Sequence, residues 1–146
     1  MDIYDEYERV ADQYLTAYGL RVSTDMLPAV RELLVRETWH EADLYTGRGA
    51  VPGNTSLMRI CAAQLWHAGA VEDALLVHRA RRTSMDATGA VDAELMLGAG
   101  LTHTKDYFTA LGTDEAREVL DDIACVEEPY DAERYAAYLD DYYRPA

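Results

Sequence analysis

Glu37, His40 and Glu41 stand in the register Glu-x-x-His-Glu, with Asp43 two residues further on. On a helix, residues three or four apart share a face, so a carboxylate and an imidazole at this spacing can grip one metal ion, as paired Glu-x-x-His sets do in di-metal bundles. Such a centre needs a second copy, and the sequence has none. The order also differs from the His-Glu-x-x-His of zinc helices. The segment is therefore expected to be a solvated helix face. A metal or small-ligand site on Glu37, His40 and Glu41, with an enzyme built around it, is the alternative reading.

Three further groupings have chemical potential. The run from Gly47 to Ser56 carries glycines 47, 49 and 53 around Pro52 ahead of a helix, a setting in which backbone amides can hold an anion. It lacks the lysine of a phosphate-binding loop, so an interhelical connection is expected, with Arg48 and Arg59 leaving anion binding as the weaker reading. The cluster His78-Arg79-Ala80-Arg81-Arg82 is followed by Asp86, Asp92 and Glu94. Arg79, Arg81 and Arg82 are expected to pair structurally, with Asp86 or Asp92 as partners, and an outward-facing anion site is the alternative. His67, His78 and His103 read as helix-end or surface histidines. No nucleophile elbow or local Cys-His signature is present, which favours a non-catalytic protein, and no pattern requires a cofactor.

The C-terminal quarter is the most suggestive. Residues 113–146 contain eleven acidic residues against three arginines, interleaved with Tyr130, Tyr135, Tyr138, Tyr142 and Tyr143. Tyrosines give rigid contact area, and neighbouring carboxylates steer and pair with Lys or Arg of a partner, a logic used by inhibitors of basic nucleases or toxins. Tyr135, Tyr138 and Tyr142 match the buried stripe of a last helix. Tyr143, Tyr130, Asp140, Asp141, Glu127 and Glu128 are therefore the expected partner-binding residues.

Composition narrows the function class. A formal charge of −14 argues against nucleic acid and anionic membranes, which recruit basic patches. It suits a basic protein partner or simple solubility. No apolar run is long enough to span a bilayer, and acids near Met1 do not suit an export signal. With two widely separated cysteines, Cys61 and Cys125, a cytoplasmic setting is expected, both thiols being small buried groups. A homo-oligomeric structural subunit is a further alternative.

The elements that must position these groups are all helices. Ile3, Tyr7, Val10, Ala11, Tyr14 and Tyr18 mark a first helix ended by Gly19, and a second is expected from Met26 to Tyr45. Asn54 or Thr55 caps a third that ends at Gly69, and a short turn leads to a fourth running from Val71 to about Thr83, so that residues 54–84 read as a helical hairpin. A loop is expected at 86–89, then a short helix at 93–97 and another capped by Thr102 that reaches Leu111. A helix on Ala116, Val119, Leu120 and Ile123 follows, and Asp131 caps the last. Period-two alternation is absent, so the expected fold is all-α, six to eight helices in one domain, as a bundle or a short array of hairpins.

Overall fold

The computed structural model describes residues 2–46 and 51–145, and among these it contains eight α-helices and no strand. They are α1 (Ile3–Tyr18), α2 (Leu27–Thr46), α3 (Thr55–Ala68), α4 (Asp73–Arg81), α5 (Met85–Ala90), α6 (Leu101–Leu111), α7 (Asp114–Ala124) and α8 (Ala132–Tyr142). Two 3-10 turns, Thr24–Met26 and Ala93–Leu97, interrupt the series. The fold is all-α, and none of the described helices is long and apolar enough to cross a membrane.

The architecture follows from the composition of α3. Leu57, Met58, Ile60, Cys61, Ala62, Ala63, Leu65 and Trp66 leave it no polar face, and a helix that is apolar all round must be surrounded. Every residue from Leu57 to Trp66 is buried. Around α3 pack α1, α2, α4, α5 and the 93–97 turn, while α6 and α7 pack on each other and on that turn. The buried side chains form one cluster from Ala11 to Leu139. Two polar residues share the buried helix. Gln64 satisfies both ends of its amide, accepting from the Tyr14 hydroxyl at 2.6 Å and donating to the Gly19 carbonyl at 2.8 Å. The other is Arg59.

Side-chain caps set most of the helix starts. Asp2, Asn54, Ser84, Thr113 and Asp131 each accept the backbone N–H three residues on, at 2.9–3.0 Å. Each such bond satisfies an amide that a helix start leaves unpaired. Three expectations are corrected. Residues 86–89 are not a loop but lie in α5, because Ser84 caps the turn. Thr102 lies inside α6, which starts at Leu101 without a side-chain cap. The 54–84 hairpin is not the packing unit, since α4 lies more extensively on α2 and the 93–97 turn than on α3.

Two glycines close the centre. Gly69 ends α3 in the left-handed region at φ 80°. Gly98 ends the 93–97 turn against the last turn of α3, where an added Cβ would strike the Trp66 carbonyl oxygen and lie 2.7 Å from its Cα. Both obstacles are backbone and cannot rotate away. Gly98→Ala is accordingly expected to lower the unfolding free energy by about 3 kcal/mol, a fall in Tm of roughly 10 °C. A loss below about 1 kcal/mol in urea denaturation would show that the two segments have room to separate.

Candidate functional site

Arg59 projects from α3 toward α8 with its side chain only 8% exposed. A cation so far from water needs partners on every side. Its Nη1 donates to the Tyr143 hydroxyl at 2.8 Å, and its Nη2 to the Tyr138 hydroxyl at 3.1 Å and to Asp92 at 3.3 Å. The guanidinium carbon lies 4.0 Å from the centre of the Tyr142 ring, well inside the range of a cation–π contact. Asp92 also accepts from the buried Tyr135 hydroxyl at 2.8 Å. Burial, then Asp92, pushes the Tyr135 pKa far up, and burial lifts Tyr143 to about 12 although Arg59 pulls it down. Both hydroxyls are neutral at physiological pH.

The same tyrosines dock α8 on α3. Tyr135 and Leu139 are buried, the Trp66 and Tyr135 rings meet edge to face at 5.5 Å, and the Trp66 indole N–H donates to Tyr130 at 3.2 Å. Arg21, just beyond α1, holds the other side of α8 through two bonds to Asp140 at 3.0 and 3.1 Å. An open groove of about 1150 Å³ is left between α1 and α8, with Arg59 and Ile60 in its floor. One wall carries Glu8, Asp12 and Leu15, and the other Tyr138, Tyr142 and Tyr143. Tyr138 is 46% exposed and Tyr142 60%.

The chain matches no family model, no curated protein and no solved structure.

The predicted partner-binding residues divide. Tyr143 falls on the docking face, because it lies one turn beyond Leu139, and it is half-buried against Arg59. Tyr138 and Tyr142, assigned to the buried stripe from sequence, are the open rings. Tyr130 is half-buried, with its hydroxyl also 3.4 Å from the Leu97 carbonyl. Asp140 is taken by Arg21, whose hydrogen bond holds its pKa below the usual range, and Asp141 lies 3.4 Å from Arg144. Glu127 pairs with Lys105 at 2.6 Å, while Glu128 is exposed.

Glu37 and Glu41 overturn the expectation of a solvated face. Both are buried, while His40 between them is exposed, so the three do not converge. Glu37 accepts the Asn54 N–H at 3.0 Å and Glu41 the Gly53 N–H at 3.1 Å, and Glu41 also takes the Ser84 hydroxyl at 2.6 Å. The amides before α3 do hold anions, and those anions are the protein's own carboxylates. Residues 47–50, Arg48 among them, lie outside the described part. Among the described residues no group of three or more His, Cys, Asp or Glu is placed to hold a metal ion.

The basic cluster pairs structurally, but with α7. Arg79 makes two bonds to Glu115 at 2.9 Å, and Arg82 lies 3.6 Å from Glu118. Arg81 bonds the Val91 carbonyl. Asp86 is exposed, and Asp92 belongs to Arg59 instead. His78 does stand in the last turn of α4, but buried, with Nε2 3.2 Å from Glu118, and Cys125, expected to be buried, is exposed. Sequence reasoning assigned Arg59 only to the glycine-rich turn. The available signal was an arginine set within an otherwise apolar helix, which demands buried partners.

Two outcomes follow. Removing the Glu41 carboxylate with Glu41→Ala strands a buried amide and a hydroxyl, and urea denaturation should register a loss of about 2–4 kcal/mol; a loss under about 1 kcal/mol would mean that these bonds are replaced by water. Burial lifts the Cys61 thiol to about 12, so at pH 8 Ellman's reagent should titrate one thiol, Cys125, in the native protein and two after denaturation. Two reactive native thiols would contradict the packing of Cys61.

Proposed function

We propose that this protein is a non-catalytic interaction module of the cytoplasm that binds, and by covering its surface can inhibit, a basic protein partner. The observation that carries this reading is the unequal use of charge around the α1–α8 groove. Arg21, Arg59 and Arg144 each already face a carboxylate of the same chain, whereas Glu8 and Asp12 have no basic partner among the described residues. Across the groove stand the open rings of Tyr138 and Tyr142. Rigid aromatic area next to uncompensated carboxylates is the composition of a surface that recognises cationic side chains. The formal charge of −14 adds long-range attraction for a basic protein and repels polyanions. Two unpaired cysteines, one of them exposed, suit a reducing compartment.

The test is affinity purification of the tagged protein from its native cells at about 0.05 M and about 0.5 M salt, with the retained proteins identified by mass spectrometry. A specific partner of basic isoelectric point, whose recovery falls at least about tenfold at the higher salt, is expected because steering by exposed charge is screened within a few ångströms there. An acidic partner, or recovery indifferent to salt, would contradict the proposal.

A further inference from the structure

We propose that the α1–α8 groove receives an arginine-bearing segment of that partner, one guanidinium lying between the Glu8–Asp12 pair and the exposed ring of Tyr142. The inference rests on the interaction reading above and adds where the partner binds and what it presents. Glu8 and Asp12 are four apart on α1 and so lie one above the other on the groove wall. Among the described residues Glu8 accepts a bond from the Ser56 hydroxyl and neither Glu8 nor Asp12 has a basic partner. A guanidinium can bridge two such carboxylates because its donors spread in a plane, which an ammonium cannot match.

The opposite wall already displays the required chemistry. Tyr142 carries the Arg59 guanidinium 4.0 Å from its ring centre, yet 60% of the residue remains exposed. A second guanidinium therefore finds open ring area in the same groove as the two carboxylates. Leu15 on the α1 wall, with Ile60 and Ala90, gives apolar lining for the residues flanking the arginine. The volume, about 1150 Å³, exceeds the usual range of small-molecule pockets of roughly 300–1,000 Å³, and its openness suits a length of polypeptide. An anionic occupant is disfavoured, since each arginine that lines the groove already has a carboxylate beside it.

The probe is a blocked hexapeptide alternating arginine and leucine, compared with its lysine counterpart by fluorescence anisotropy and by amide shift mapping in NMR. The arginine peptide should bind at least about fivefold more tightly than the lysine peptide. Its shifts should map to α1 and α8. Glu8→Gln with Asp12→Asn should weaken binding at least about tenfold. Tyr142→Ala should do likewise, and Tyr142→Phe, which keeps the ring, should restore binding to within about twofold. Asp25→Asn with Glu32→Gln, exposed acids outside the groove, should leave affinity unchanged. The Tm of each variant identifies any that has lost its fold, and the Phe variant keeps the test valid should the Ala variant fail. Binding unaffected by the Glu8 and Asp12 changes, shifts that map to α7, or no binding of either peptide would overturn the groove assignment. The basic-partner reading fails separately, on the salt dependence of the captured protein.

Discussion

A guanidinium withdrawn from water imposes conditions on everything around it, and Arg59 is the group that imposes them here. Its side chain is 8% exposed within a helix that is otherwise apolar, and an unpaired charge in that position costs several kcal/mol. Asp92 supplies the opposing charge, while Tyr138 and Tyr143 supply hydroxyl acceptors and Tyr142 a ring face. Three of these four partners come from α8 or the residue after it. Satisfying one buried cation therefore fixes where the C-terminal helix lies, and with it the groove between that helix and α1. The Tyr135 and Tyr143 hydroxyls, raised in pKa by burial, remain neutral and able to accept or donate across the physiological range.

The acidity of the chain divides into two populations with different duties. Glu37 and Glu41 are internal anions that hold the chain entering α3 by its amides, and that chain positions Asn54 to cap the central helix. Glu115, Glu118 and Asp122 face Arg79, His78 and Arg82 along the α4–α7 contact. Only the remainder gives the protein its outward field. Net charge alone overstates what a partner would meet, and Glu8 and Asp12 matter because they are among the acids that no cation of the described residues takes up.

The helices were legible because their ends carry local chemistry. Asn54, Thr113 and Asp131 cap through side chains that sequence already displays, and Gly19, Gly69 and Gly112 end helices at positive φ. What escaped depends on contacts distant in sequence. Glu37 and Glu41 looked solvated because carboxylates usually are, and only the approach of Gly53 and Asn54 explains their burial. Arg79 was matched to acids nearby in sequence, whereas α7 brought Glu115 against it. Tyr143 falls outside the stripe of Tyr135, Tyr138 and Tyr142 that the sequence suggests. Counting from Leu139 puts it one turn on, over Arg59. His78 and Cys125 exchanged their expected surroundings for the same reason: a single helix does not reveal which of its faces a neighbour will cover.

The claim that Arg59 holds α8 in place is tested most directly by amide hydrogen exchange in the native protein and in Arg59→Met, which keeps the side-chain bulk and removes the charge. Selective loss of protection across residues 132–142, with residues 27–46 and 73–81 exchanging as before, is the expected result. Protection of 132–142 equal to that of the native protein, or a uniform loss along the whole chain, would contradict the role given to this one cation.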